Sequence, residues 1–535
     1  MSNDGKPGGG SVNPEFSGLR ALVWPVHRYE LKKFLPTGLM MLCILFIYTL
    51  VRDLKDTLVV SRAVGGGAEV LGFLKLYLVM PAAILFMIVF VKLANMFDRE
   101  KLFYVIVLFF LSFFVAFGFI LYPMADYLHM SRETIAGLQQ SVPRLYWVWP
   151  VIGNWSYSLF YIIAELWGSV VLSALFWQFA NEITKVKEAK RFYSLFGFVG
   201  NFGLIASGSV IIVCANIAKK SAALGAPDAF GSNLRYQMLA VAAFGGALLY
   251  IYRWMHKHVL TDPKLYTPGE GVKKKKKLNL GFIKSFKYIL TSKYLLMIAL
   301  LIFAYGVSIN LVECIFKGQI NLQYPDPNDY NSLMGKLSLT TGILTIVVML
   351  VGTNILRIFS WKVAALVTPV FLLATSIIFF GMIMYEKHVG IQATIMGTTV
   401  LFMAVVVGLA QNAFAKGVKY SLFDSTKQMA YIPLGQEMKV KGQAAVEIIA
   451  GRGGKSGGAI IQSTLLLIIG GNVSLASKVE ILGSIVLVVV LFWISAVFSL
   501  SKQFEVLSAE KEAAEEAAAK EARDQRKEMP AETEK

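Results

Sequence analysis

Runs of about 20 predominantly apolar residues recur from one end of this 535-residue chain to the other. A helix needs that length to cross about 30 Å of hydrocarbon, and only helices or closed barrels satisfy their backbone there. The runs fall near 36–54, 70–95, 102–122, 152–180, 192–217, 236–255, 295–316, 333–357, 362–385, 391–415, 444–470 and 478–500. Composition agrees, with 56% of residues hydrophobic, 16% charged and a mean hydropathy of +0.59. Large soluble chains carry more charge than that. The pattern predicts an all-α polytopic membrane protein with about twelve transmembrane helices.

A basic stretch divides the runs six and six. It contains five consecutive lysines, Lys273 to Lys277, which read as a headgroup-facing patch for anionic lipids and not as a nucleic-acid site. The expected organisation is a polar N-terminal segment 1–35, a six-helix bundle 36–258, a basic loop 259–293, a second bundle 294–501 and a charged tail 502–535. Further basic residues gather on the loop's side. They are Lys185, Lys187, Lys190 and Arg191 in one connection, and Lys416, Lys419, Lys427, Lys439 and Lys441 in another. Positive charge marks the cytoplasmic face, so the loop and both termini are expected in the cytoplasm. The Gly-rich first thirty residues do not read as a cleavable signal, and the tail from Ala509 reads as a solvated helix with no apolar stripe.

Two halves of six spans invite a repeat built around a midplane site. Lys190–Gly208 aligns with Lys441–Ala459, matching Gly200 to Gly451 and Gly203 to Gly454. Three scattered cysteines, Cys43, Cys214 and Cys314, have no metal spacing and read as small buried hydrophobes. Neither a metal nor a cofactor is expected.

The net charge of +18 is mostly loop charge, but some lies inside the spans. An ionisable residue at the bilayer centre costs about 2.5–3.5 kcal/mol, so one retained there points to function. The first span ends in Arg52-Asp53-Leu54-Lys55-Asp56, the second carries Lys75 and the fourth carries Glu165. The seventh has Glu313 and Lys317, and the eleventh has Glu447, Arg452 and Lys455. Arg52 and Lys55, three apart, share a helix face and call for an anion between them. Glu313 and Lys317, four apart, can pair, with Asn310 on their face. Glu165 shares its face with Ser158, Tyr161, Gly168 and Ser169. Lys75 and Glu447 read as snorkelling or structural charges.

Gly451-Arg452-Gly453-Gly454-Lys455-Ser456 lacks the glycine that a phosphate-binding loop needs six residues before its lysine, where Ile449 stands. Its glycines are nonetheless expected to loosen the helix and bare backbone N–H groups beside two cations.

Several of these stretches together resemble the ATP/ADP translocase family of plastids and intracellular bacteria. They are Arg52 to Leu58, Ala164 to Ser169, Phe179 to Thr184, Glu188 to Tyr193, Leu422 to Lys427, Met429 to Leu434 and Gly454 to Gly458. The resemblance implies a major-facilitator-like fold and nucleotide exchange or import without hydrolysis. It also implies a bacterial inner membrane location and important charges at Lys55, Glu165, Glu313 and Lys455. Three of the positions depart from the family's usual residues: Leu54, Phe316 and Gln178.

The expected substrate is a nucleotide, ATP, ADP or another triphosphate, handled by a monomer. Lys55, Arg52, Lys455, Arg452 and Lys317 would bind phosphates. Glu165, Glu313, Asn310 and Tyr161 would bind substrate or couple its movement. Proton-coupled import of a nucleotide is the alternative. An integral-membrane transferase is remote, because His27, His129, His256, His258 and His388 all read as loop or edge residues.

Overall fold

The computed structural model describes residues 26–61, 65–263, 265–266, 292–358, 360–390, 394–395, 397–435, 438 and 442–528. The Lys273 to Lys277 run, Lys439 and Lys441 lie outside the described residues, as do the side chains of Lys187, Lys190 and Glu447.

Among the described residues, twelve long helices follow one another: α1 (Leu31–Val60), α2 (Val70–Met96), α3 (Arg99–Leu121), α4 (Trp155–Ile183), α5 (Val186–Ala223), α6 (Ala229–His258), α7 (Lys293–Gln323), α8 (Pro327–Ile358), α9 (Trp361–Val389), α10 (Val400–Val418), α11 (Gln443–Ile469) and α12 (Val479–Glu528). Among the described residues, eleven helices are long and apolar enough to cross a bilayer. The twelfth, α11, has spanning length but carries three charges and five glycines. The α12 helix, at 1.5 Å per residue about 75 Å long, carries the charged tail out of any bilayer.

The tenth run departs from the sequence reading at both ends. Its first residues form a two-residue antiparallel pairing, Thr394–Ile395 with Thr398–Thr399, and the helix starts only at Val400. At the other end a π-helical turn, Lys419–Phe423, joins α10 to a further helix, Asp424–Ala430. Lys416, expected in a basic loop, therefore stands inside a continuous helical stretch.

The helices divide into two halves with separate cores. One core draws all its buried residues from Val26 to Leu265. The other draws on Tyr294 to Leu500, and takes in Val59 to Leu74, Trp147, Val151 and Tyr161 from the first half. Packing repeats between halves. In the first, α1 packs on α5 and α6; in the second, α7 packs on α11 and α12. The aligned glycines take equivalent places. A Cβ on Gly203 would lie 2.6 Å from the Leu42 carbonyl oxygen of α1, and one on Gly454 would lie 2.8 Å from the Phe303 carbonyl oxygen of α7. Small residues let membrane helices approach backbone to backbone. Gly454 thus seats α11 on α7, and the helix runs unbroken through Gly451–Gly458. The expected loosening is corrected here: the close partner of these glycines is a neighbouring helix.

Across the halves, α5 packs on α8 and α11 packs on the start of α2. Polar contacts between halves gather toward the end where α1 finishes and α2 begins. Lys219 of α5 pairs with Asp329 of α8. Asn233 donates to Asn328 at 3.0 Å, Gln237 donates to Asn331 at 2.6 Å, and Asn331 donates to Thr57 at 3.0 Å. The Leu475 N–H donates to the Glu69 carboxylate, and Gly471 N–H to the Pro143 carbonyl. This is the end opposite the basic loop, and there the halves are joined.

Candidate functional site

The intramembrane charges meet just inside the joined end. Lys55, on the last third of α1, lies 2.9 Å from Glu165 and 3.1 Å from Asp56, and its ammonium stands 3.7 Å from the centre of the Tyr161 ring. The second oxygen of Asp56 lies 2.8 Å from Lys317 of α7. Lys317 lies 3.5 Å from Glu313 one turn earlier, and Glu313 lies 3.1 Å from Lys416 of α10. The result is a ladder of alternating sign: Glu165, Lys55, Asp56, Lys317, Glu313, Lys416. It crosses from the first half to the second at Asp56–Lys317.

Spacing along each helix explains the register. Tyr161 and Glu165 are four apart on α4, as are Glu313 and Lys317 on α7, so each pair shares a face. Beyond Trp167, α4 turns π-helical over Gly168–Phe176, and such widened turns cluster at functional sites. Lys55, Asp56 and Lys317 are buried, whereas Glu165 and Glu313 keep 31% and 21% of their side chains open. Glu165, Glu313 and Lys416, the last 19% open, are the ladder's accessible members. Charges withdrawn from water in this way persist only when each has an opposite neighbour.

Arg52 stands beside the ladder. Its guanidinium holds Asp53 at 3.0 Å and donates to Ser338 of α8 at 2.9 Å, and Ser338 in turn donates to Asp53. The anions that Arg52 and Lys55 call for are thus their own chain neighbours. Asn310 forms a second bridge. It accepts from Lys75 of α2 at 3.1 Å and donates to the Lys455 carbonyl of α11 at 2.7 Å. A Cβ on Gly458 would lie 2.8 Å from the Asn310 Cβ, so the close seat of α11 fixes this contact. Arg452 and Lys455 are exposed on α11, and among the described residues no carboxylate stands within ion-pair distance of either.

The structure therefore brings Lys55, Glu165, Tyr161, Lys317 and Glu313 into one cluster, puts Arg52 beside it and Asn310 against it. It leaves the Arg452 guanidinium and the Lys455 ammonium outside the ladder. Sequence reading missed Lys416, which looks like a loop residue until the π-turn carries α10 past it. It also read Lys75 as structural, and did not anticipate Ser338 and Asn331, ordinary polar residues of α8. Asp56, seen only as part of a charged run, proves to be where the ladder crosses between halves.

Two solved structures share this architecture at low identity. A bacterial homologue of the iron transporter ferroportin, in an inward-facing state, matches with TM-score 0.53 and 12% identity over 89% of this chain and all of that one. A bacterial metal transporter matches with TM-score 0.50 and 11% identity over 89% and 99%. Two six-helix halves joined around a buried charge cluster define a secondary transporter of major-facilitator-like fold. Residues 10–504 match the family described as TLC ATP/ADP transporter, and the chain belongs to that family. ADP,ATP carrier protein 1 of Chlamydia pneumoniae is 46% identical over 93% of this chain and 96% of its own length. The protein of the same name from Rickettsia conorii is 45% identical over 92% and 97%. The chloroplastic ADP,ATP carrier protein 1 of Arabidopsis thaliana is 42% identical over 92% and 77%.

Proposed function

We propose that this protein exchanges ATP for ADP by alternating access. Halves 36–258 and 294–501 rock about the charge ladder, in a bacterial inner membrane, with the basic loop and both termini in the cytoplasm. The observation that carries the reading is the surplus of positive charge around the ladder in a chain that shares nearly half its residues with ADP,ATP carriers. Arg452 and Lys455 are open cations awaiting phosphates, while Lys55, Lys317 and Arg52 donate to phosphate oxygens as their carboxylates or Ser338 give way. Charge-assisted contacts of this kind are the strong ones in partly dehydrated sites. Tyr161, Asn310, Glu165 and Glu313 shape the site and hold its cations between substrates. The working unit is a monomer, and the lysine run at 273–277 rests on anionic lipid.

Purified protein in liposomes tests this directly. Labelled ATP should enter vesicles loaded with ADP and fail to enter empty ones, with or without a proton gradient. Entry into empty vesicles that an uncoupler abolishes would overturn exchange in favour of proton-coupled import.

A further inference from the structure

The helices α3 and α6, which carry none of the ladder, run antiparallel in a register fixed from end to end. Glu100 lies 3.6 Å from His256, and the Tyr104 ring stands 5.5 Å from that of Tyr252. A Cβ on Gly245 would fall 2.5 Å from the Leu111 side chain, and one on Gly118 would fall 2.6 Å from Met238. Beside this tight seam lies a groove of about 550 Å³, with Leu108, Ser112 and Phe119 of α3 and Ala242, Gly246 and Leu249 of α6 in its walls. That volume is in the range of ligand sites, about 300–1,000 Å³. Gly246 is exposed, and a Cβ on it would meet nothing within 4 Å. The side chain it lacks keeps the groove open.

Each wall of the groove ends in a cation. Ala242, Gly246, Leu249 and Arg253 follow at helical spacing on one face of α6, and Lys101, Leu108, Ser112 and Phe119 do so on α3. The register of the seam sets Lys101 and Arg253 within about one helical turn of each other along the axis, at the end from which the basic loop leaves. Both are exposed. The carboxylates near them have other neighbours, Glu100 lying against His256 and Glu182 holding Arg99 at 2.8 Å. Lys101 has Asp98 at 3.8 Å, with both side chains largely exposed, and such a pair is worth little. Among the described residues no carboxylate lies within ion-pair distance of Arg253. The Tyr104 hydroxyl, near enough to feel its charge, is packed out of solvent without a hydrogen-bond partner among the described residues. This corner lacks both an anion and an acceptor, at the mouth of an apolar slot.

We propose that this groove binds an anionic phospholipid from the leaflet on the basic-loop side, with one acyl chain between α3 and α6 and the phosphate between Arg253 and Lys101. Depth supports the match. The α6 helix has 30 residues and is about 45 Å long, against about 30 Å of hydrocarbon. Arg253, five residues before its end at His258, therefore stands at headgroup level. The slot takes the chain by apolar contact, and the guanidinium takes the phosphate by a charge-assisted bond. A second copy of this chain is the competing occupant. A two-fold dimer packs the same surface against itself, so across this groove it would set Arg253 opposite Arg253 at one depth, and the two cations would repel. A lipid brings the opposite charge.

The test is native mass spectrometry of the purified full-length protein in detergent, with equal amounts of phosphatidylglycerol and phosphatidylcholine added. Wild type is compared with Arg253→Gln, Gly246→Phe and a control, Lys92→Gln, which neutralises an exposed cation of α2 outside the groove. Wild type should retain phosphatidylglycerol over phosphatidylcholine. Arg253→Gln should weaken phosphatidylglycerol about tenfold, and phosphatidylcholine less, since choline offsets its phosphate. Gly246→Phe fills the slot and should weaken both. The basic loop is intact in every variant, so lipid held there cancels in the comparison. Melting temperature identifies a variant that misfolds, and if Gly246→Phe does so, Arg253→Gln decides alone. The assignment fails if folded Arg253→Gln binds phosphatidylglycerol as wild type does, or if Lys92→Gln loses as much, since the lipid is then merely annular. A dimer that Gly246→Phe splits while lipid binding stays unchanged would also overturn it and give the groove to a second copy.

Discussion

Replacing Lys55 with glutamine separates a scaffold from a binding site. Lys55 holds two carboxylates and covers the Tyr161 ring. Its loss affects them unequally. Asp56 keeps Lys317 at 2.8 Å, but Glu165 has no second cation within ion-pair distance among the described residues. Breaking a fully buried pair by removing one partner costs about 3–5 kcal/mol. Glu165 keeps 31% of its side chain open, so the low end, about 3 kcal/mol, is expected. Glu165→Gln should cost less, because Lys55 retains Asp56 and a desolvated cation–π contact of about 2 kcal/mol. The double variant Lys55→Gln/Glu165→Gln should therefore melt close to Glu165→Gln and above Lys55→Gln. Exchange in liposomes should rank differently, with Lys55→Gln and the double variant both at least about tenfold weaker for ATP, since each lacks one charge-assisted phosphate contact. Recovery of wild-type exchange in the double variant would refute a phosphate role for Lys55 and leave it a structural partner of Glu165.

Asp56→Asn removes the charge that links the halves within the ladder, and should let labelled ADP leave loaded vesicles with no nucleotide outside. Efflux that still requires external nucleotide would show that Asp56 does not restrain the empty carrier. Gly454→Val drives a side chain into the α7 backbone, where no rotamer change relieves it, and should lower stability by about 1–3 kcal/mol. Gly246→Ala, with nothing within 4 Å of the new Cβ, should melt at or above wild type.

Much of this molecule is legible from residues alone because the bilayer is an exacting solvent. Span length and membrane cost single out Lys55, Glu165, Glu313, Lys317 and Lys455 without any fold. Partners are another matter. Lys75 lies five residues into α2, where a charge reads as edge decoration until Asn310 of α7 is seen beside it. Lys416 sits where hydropathy fades, and only the π-helical turn that follows carries the helix beyond it. Gly454 is a poor helix former in water, so a loosened helix is the natural reading. In a packed membrane bundle the same missing side chain is an attachment point. Ser338 and Asn331 are invisible for a plainer reason: a single hydroxyl or amide in an apolar helix says nothing about which helix it will face.

The division of charge between halves bears on why exchange would be obligatory. The first half brings Arg52, Lys55 and Lys75 against Asp53, Asp56 and Glu165, which is balanced. Among the described residues of the ladder, the second brings Lys317 and Lys416 against Glu313, with Arg452 and Lys455 further along α11. The Asp56–Lys317 contact, at 2.8 Å, settles that difference while the halves are joined at the end beyond it. Opening that end parts them. An empty carrier would then expose a second half with excess positive charge inside the membrane, where each uncompensated charge costs about 2.5–3.5 kcal/mol. A barrier raised by about 3 kcal/mol slows a step roughly a hundredfold. Under the proposed exchange, phosphates of a bound nucleotide would supply the missing negative charge as Asp56 withdraws, and the loaded carrier would move without that penalty. On that reading the carboxylates hold the place of the substrate, and the same ladder that stabilises the resting protein would make its return without cargo slow.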